Sequence, residues 1–169
     1  MNNSLGMQRL LALQLAFLYQ QDKQYDKAEE HYLTALKQAP SNEHVLLGYA
    51  KFLLRIKNDI KGASIHGTKA YSQQQNNLDT NTLMAEIAMA NQDFKQAKNY
   101  LNVLLLDKRG SHKQIGKIML ADIAIKEKDF EQAKLYLKPY TRLKKGTYCL
   151  LYTSPSPRDA TLSRMPSSA

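Results

Sequence analysis

The chain has 169 residues and a mass of 19.2 kDa, enough for one or two small domains with a sizeable core. Apolar residues make up 43% and charged residues 23%, which is near the globular average and excludes wholesale disorder. Lys and Arg outnumber Asp and Glu by 24 to 15, so the formal net charge is +9. The single cysteine, Cys149, excludes an internal disulfide and a multi-cysteine metal site. The uncharged stretch at residues 10–21 is too short to cross a bilayer.

Residues 1–8 are predicted to be a disordered start, and from residue 9 the sequence is internally repetitive. Four segments align, at residues 13–40, 46–73, 83–108 and 119–143. Each contains two helix-length windows with apolar residues at i, i+3, i+4 and i+7, the pattern of a helix with one buried side. We therefore predict an all-α domain over residues 9–146, made of four helix–turn–helix repeats at 9–42, 43–77, 78–113 and 114–146.

Small residues mark the same two positions in every repeat. The first set is spaced by 34, 35 and 36 residues and consists of Ala16, Ala50, Ala85 and Ala121. The second set is spaced by 35, 34 and 36 residues and consists of Ala28, Ala63, Ala97 and Ala133. Because an alanine lets two helix backbones approach closely, these positions are predicted to be buried helix crossings.

A short polar turn and then a large residue separate the two alanines of each repeat. The large residues are Tyr25, Ile60, Phe94 and Phe130. We predict that they fill the space between the paired helices and the next repeat. Pro40 stands where the second helix of the first repeat must end, because proline lacks an amide hydrogen and clashes with the preceding turn.

These positions resemble the tetratricopeptide repeat family over roughly residues 9–145. The first repeat carries the clearest set of family positions, which are Leu15, Ala16, Tyr19, Tyr25, Ala28, Tyr32, Ala35 and Pro40. The family glycine before the turn is replaced by Lys23, Lys57, Gln92 and Lys128, and the second repeat has one extra turn residue. The resemblance implies a right-handed superhelix, or α-solenoid, in which each repeat touches only its neighbours.

In this family the first helix of each pair lines a concave groove that binds a partner. The resemblance therefore implies groove residues on the first helices, and the candidates are Leu13, Phe17, Leu47, Lys51, Arg55, Glu86, Met89 and Asp122. Apolar anchors among scattered charges suit an extended peptide or an amphipathic helix of a protein partner. Alternatively, Leu10, Leu13 and Phe17 pack against a helix upstream of this sequence.

The leading hypothesis is a scaffold that binds a protein partner in this groove. Residues 28–53 also resemble the middle repeats of bacterial type IV pilus biogenesis and stability lipoproteins, which implies an outer-membrane secretin as partner and an outer-membrane anchor. A second alternative is an accessory domain of a truncated enzyme or regulator. The compartment stays open between the bacterial cytoplasm and periplasm.

Catalytic, cofactor and metal sites are not expected. None of the four histidines has another His or Cys three or four residues away, and the seven glycines are scattered singly rather than gathered in a phosphate loop. Residues 101–146 carry eleven Lys or Arg against five Asp or Glu. We expect the lysines to solvate outer helix faces and to pair with nearby carboxylates such as Glu127 and Glu131. Nucleic acid is not the expected partner, because no recognised binding motif accompanies the charge.

Residues 147–169 differ in composition from the rest of the chain. They hold three of the five prolines and five serines and show no helical or strand period. The segment resembles the translation of a sequencing adapter, and we predict a disordered, non-native tail. The Ser-Pro-Ser-Pro run alternatively suggests a phosphorylation or adaptor motif.

Overall fold

A computed structural model describes residues 2–108 and 110–140, with side chains described from Gly6 onward. The chain divides into two units, Met1–Tyr136 and Leu137–Ala169. The first unit contains seven whole helices and all of the eighth but its last residue, Leu137. The second unit begins with Leu137 and a short 3-10 turn at Lys138–Tyr140. The predicted tail at residues 147–169 lies outside the described residues.

The described residues form eight α-helices and no strand, which confirms the all-α prediction. The helices are α1 (Asn2–Gln21), α2 (Tyr25–Gln38), α3 (Glu43–Phe52), α4 (Ile60–Tyr71), α5 (Leu78–Ala90), α6 (Phe94–Leu104), α7 (Ser111–Lys126) and α8 (Phe130–Leu137). A π-helical segment, Leu53–Lys57, continues α3. Short turns join consecutive helices, and α1 packs against α2, α3 against α4 and α5 against α6, so the fold is a helical repeat solenoid.

Two helices begin earlier than the sequence predicts. Helix α1 begins at Asn2, so residues 2–8 are helical where the sequence predicts a disordered start; they contain no proline and include the good helix formers leucine, methionine and glutamine. Helix α7 begins at Ser111 rather than near residue 114. The carboxylate of Asp107 accepts the His112 N–H at 2.9 Å and so satisfies a first-turn donor from outside the helix.

The marker alanines lie where the sequence places them. None is more than 4% exposed, in either the first set (Ala16, Ala50, Ala85, Ala121) or the second (Ala28, Ala63, Ala97, Ala133). The prediction of buried helix crossings is therefore confirmed.

The turn inside each helix pair contains one residue in the left-handed region of backbone conformation. These residues are Lys23, Asn58, Gln92 and Lys128. In the second repeat the family glycine is thus replaced by Asn58 and not by Lys57. The π-helix absorbs the extra turn residue: the Asp59 N–H donates to Leu53 O, six residues back, whereas the Gln24 N–H in the first turn donates to Tyr19 O, five residues back.

Replacing Gln92 by Gly is expected to stabilise the protein by up to about 1 kcal/mol. A side chain in the left-handed region costs roughly 1–2 kcal/mol, and glycine removes that cost while giving back part of the gain as unfolded-chain entropy. Asn58→Gly is the matched control, since asparagine tolerates this conformation. Urea denaturation measures both changes, and an equal gain from Asn58→Gly would contradict the strain assigned to Gln92.

The large residue after each turn is the first residue of a second helix. Ile60 and Phe94 pack against the core as predicted. The prediction is wrong for Tyr25 and Phe130, which are exposed. An aspartate before this position caps three of the four second helices, with N–H to carboxylate distances of 2.9 to 3.1 Å at Asp59, Asp93 and Asp129.

A buried polar cluster joins the start of α3 to the start of α5. The carboxylate of Glu43 accepts from Asn77 Nδ2 at 2.6 Å and from Thr80 Oγ1 at 3.3 Å. Next to it, Asn81 Nδ2 donates to Gln75 O at 2.6 Å, which ties the loop before α5 to that helix. These bonds fix the position of neighbouring first helices relative to each other.

Candidate functional site

The candidate site is the outward side of α1, α3, α5 and α7, here called the first-helix face. Its central row consists of Phe17, Lys51, Glu86 and Asp122, each of which directly follows a marker alanine. Because each alanine is buried at a helix crossing, the next residue of each helix points to the same side of the stack. The chain thereby places one aromatic and three charged side chains in equivalent positions.

Two ion pairs cross the first-helix face between the second and third repeats. Arg55 binds Glu86 with both ends of its guanidinium group, at 3.0 Å from Nε and 2.6 Å from the terminal nitrogen. Lys51 Nζ lies 3.6 Å from a carboxylate oxygen of Asp79. The bidentate geometry fixes the planes of the Arg55 and Glu86 side chains, which makes this the more specific of the two pairs.

A third contact extends this row of charges to α7. His112 Nε2 lies 3.7 Å from Asp79, and its Nδ1 lies 3.6 Å from Asp107. Asp79 stands six residues before its marker alanine, the position that Leu10 holds in α1, and this register predicts it as a groove residue. His112 is not among the predicted groove residues. No sequence signal identifies His112, because its approach to Asp79 depends on the early start of α7 at Ser111.

The apolar candidates divide into an exposed and a buried group. Phe17 is 55% exposed, and Leu10 beside it is also exposed. Leu13 is half-buried, with its Cδ2 3.9 Å from where a side chain on Gly48 would begin. Leu47 is only 8% exposed and belongs to the core, which leaves little of it for a partner to contact.

Met89 and Asp122 complete the eight candidates. Met89 is partly buried and packs against the core shared by α5, α6 and α7. Asp122 pairs within its own helix, at 3.3 Å from Lys126 Nζ. The first-helix face therefore has an apolar end on α1, an ion-paired middle on α3 and α5, and a locally paired end on α7.

Two tyrosines with shifted pKa values lie behind the first-helix face, in the core. Burial raises the pKa of Tyr32. Burial, and then the neighbouring carboxylate of Glu29, raise the pKa of Tyr49 to about 12. Tyr49 Oη donates to Glu29 Oε1 at 3.4 Å, and Lys57 Nζ lies 2.7 Å from the same carboxylate. Both phenols stay protonated at neutral pH. The Tyr49 phenol joins α3 to α2, whereas the Tyr32 phenol donates to Gln20 Oε1 of α1 at 3.1 Å.

The lysines of residues 101–146 make some of the predicted pairs. Lys134 lies 2.7 Å from Glu131, whereas Glu127 pairs at 2.6 Å with Lys98 of the preceding helix. Asp107 and Asp129 instead accept backbone N–H groups at helix starts.

Across residues 2–108 and 110–140, no group of three or more His, Cys, Asp or Glu side chains is placed to hold a metal ion. In the same part of the chain, none of the helices combines the length and apolarity needed to span a bilayer.

The geometry defines the class of this protein as an all-α helical repeat solenoid of the tetratricopeptide type. Residues 11–42, which cover the second half of α1 and all of α2, match the tetratricopeptide repeat family. The match covers the first helix pair, or 32 of the 169 residues. No curated protein matches the sequence. Tetratricopeptide repeats generally mediate protein–protein interaction, so the class indicates a protein partner.

Proposed function

We propose that this protein is a scaffold that binds a segment of a protein partner across the first-helix face. The observation that supports this most is Phe17, an aromatic side chain more than half exposed in the same row as Lys51 and Glu86. Aromatic side chains, phenylalanine included, are enriched in protein interfaces relative to the rest of the protein surface. Phe17 and Leu10 would receive the apolar side chains of the partner.

The ion-paired middle of the face sets the chemistry of the partner. Lys51 and Arg55 are balanced by Asp79 and Glu86, so this region carries no formal net charge. A strongly acidic or basic partner gains little from such a surface, because each charge already has a neighbour of opposite sign. A partner segment with apolar anchors and uncharged polar groups fits better, since it can hydrogen-bond to the ion-paired side chains without breaking the ion pairs.

Replacing Phe17 by Ala is expected to weaken partner binding at least about fivefold, because removal of an aromatic anchor typically costs more than 1 kcal/mol. The double reversal Lys51→Glu/Arg55→Glu is expected to weaken it as well, since it sets like charges beside Asp79 and Glu86. The measurement is capture from a native extract by each variant, quantified by mass spectrometry, followed by titration of the protein that the wild type enriches.

Leu33→Ala is the matched control for this experiment. The exposed fraction of Leu33, 50%, is similar to the 55% of Phe17, but Leu33 lies on the second helix α2. Retained binding by Leu33→Ala together with lost binding by the first-helix variants supports the proposal. Equal losses, or unchanged binding by Phe17→Ala, would place the interface elsewhere on the protein.

A role in type IV pilus biogenesis is a narrower form of this proposal. It is favoured by the resemblance of residues 28–53 to repeats of pilus stability lipoproteins, and its partner would be an outer-membrane secretin. The test is the yield of secretin multimers assembled with and without the purified chain. We expect a gain in yield that Phe17→Ala abolishes and Leu33→Ala retains; an unchanged yield would exclude this role and leave the general scaffold proposal standing.

A further inference from the structure

Interior first helices bury a second side, here called the stacking face, against the second helix of the repeat before. Its three positions lie five and two residues before the marker alanine and two residues after it. They are occupied by Val45, Gly48 and Phe52 in α3, by Thr80, Leu83 and Ile87 in α5, and by Gly116, Met119 and Ile123 in α7. Eight of these nine residues are buried, and Gly48 is half-buried.

Direct contacts show what covers the stacking face of α3 and α5. The ring of Phe52 lies 5.3 Å from that of Tyr32 on α2. A Cβ atom on Gly67 of α4 would lie 3.0 Å from Ile87 Cδ1 and 3.5 Å from Leu83 Cδ2. A large apolar residue after the marker alanine thus packs on the preceding second helix.

Helix α7 makes the same contact with α6. A Cβ atom on Gly116 would lie 3.1 Å from Leu104 Cβ and 3.5 Å from Leu101 O. The backbones of α6 and α7 therefore approach closely at this position. In all three interior first helices, an apolar helix of matching shape occupies the stacking face.

Helix α1 has the same three positions, two of them occupied by leucine, but leaves all three exposed. Its stacking face consists of Leu11, Gln14 and Leu18, equivalent to the buried sets above. Leu11 is 55% and Leu18 59% exposed, whereas Phe52, Ile87 and Ile123, which are equivalent to Leu18, are at most 3% exposed. Within the described residues, nothing covers this face. Met7, one turn before Leu11 on the same side, is exposed as well.

We propose that a second copy of this chain covers the stacking face of α1, so that the protein forms a homodimer. The charge distribution favours a like copy. The chain carries a net charge of +9, yet between Gly6 and Gln21 Arg9 is the only charged residue, and it lies off the stacking face. Two copies can therefore approach along α1 without bringing lysines together.

The order of residues along α1 also suits self-association. In a two-fold dimer each residue i that contacts residue j is matched by j contacting i. Leu11 and Leu18 are seven residues apart, or about 10.5 Å along the helix. Antiparallel α1 helices would thus pair Leu11 with Leu18 of the second copy in both directions. Gln14 would lie near the axis, where an amide can both donate to and accept from its own copy.

Sedimentation equilibrium of the full chain tests the proposal. We expect the average mass in solution to rise from 19.2 kDa toward twice that value as the protein concentration increases from about 10 to about 300 μM. Interfaces near the lower size limit of specific complexes dissociate in this range. The double variant Leu11→Glu/Leu18→Glu is expected to raise the dissociation constant at least about 100-fold, because it would bury unpaired carboxylates. Circular dichroism verifies that the variant stays folded.

The matched control is Leu10→Glu/Phe17→Glu, which changes two similarly exposed residues of the same helix on the first-helix face. It is expected to keep the dimer. This control separates the proposal from the proposed partner site, which does not depend on dimerisation. A wild type that stays monomeric at every concentration, or a dimer that survives Leu11→Glu/Leu18→Glu, would overturn the proposal.

Cysteine cross-linking tests the antiparallel arrangement in a Cys149→Ser background. Gln14→Cys is expected to form disulfide-linked dimers under mild oxidation, since the two copies of this position lie near the axis. Phe17→Cys, on the first-helix face, is expected to stay unlinked. Linked dimers from Phe17→Cys and none from Gln14→Cys would show that a different side of α1 forms the contact.

Discussion

Replacing Ala85 by Glu is expected to lower the free energy of unfolding by about 4 kcal/mol or more, and the melting temperature by at least about 10 °C. Ala85 is fully buried in the core that α5 shares with α6 and α7. A glutamate there has no room, and its carboxylate would be buried without a partner. Thermal and urea denaturation followed by circular dichroism measure the loss.

Ala90→Glu provides the control for Ala85→Glu. It introduces the same side chain into the same helix, but Ala90 is exposed at the end of α5. The control is expected to change stability by less than about 1 kcal/mol, as most surface substitutions do. If Ala85→Glu proved as mild as Ala90→Glu, the marker alanine would not lie in a buried helix crossing.

Replacing Gly67 by Leu is expected to cost about 3 kcal/mol. Gly67 is buried on α4, and even a Cβ atom there would lie 3.0 Å from Ile87 Cδ1 and 3.2 Å from Met84 Sδ. Three further carbon atoms would push α4 away from α5, and overpacking a close-packed core of this kind is destabilising. Urea denaturation gives the change in free energy.

Thr68→Leu separates overpacking from the effect of adding a leucine to α4. Thr68 adjoins Gly67 but is exposed, so the substitution is expected to alter stability by no more than about 0.5 kcal/mol. Near-native stability of Gly67→Leu would mean that α4 and α5 do not approach closely in solution.

The sequence was sufficient to predict the helices and their crossings. The recurrence of Ala16 and Ala28 at intervals of 34 to 36 residues located eight buried positions at helix crossings, because a small residue lets two backbones approach closely. Pro40 predicted the end of α2, because proline cannot donate a helical hydrogen bond. Local rules of this kind depend on residues close in the chain, which is why they can be applied without a structure.

Features that depend on contacts between distant residues were missed. The start of α7 depends on Asp107, and the left-handed residue of the second turn shifted to Asn58 because a π-helix absorbed one residue. The first-helix face was predicted by position, but the sequence did not indicate that Arg55 would pair with Glu86 or that Leu47 would be buried. Such pairings are set by the spacing of neighbouring helices, which periodicity does not specify.

The stacking of each first helix on the preceding second helix is tested most directly by solution NMR with isoleucine δ1-methyl labelling. The predicted result is a strong nuclear Overhauser cross peak between the Ile87 δ1 methyl group and the α protons of Gly67, since the two groups are in van der Waals contact. Absence of that cross peak, with the Ile87 methyl instead contacting residues outside α3, α4 and α6, would contradict the stacked arrangement from which both the first-helix face and the stacking face follow.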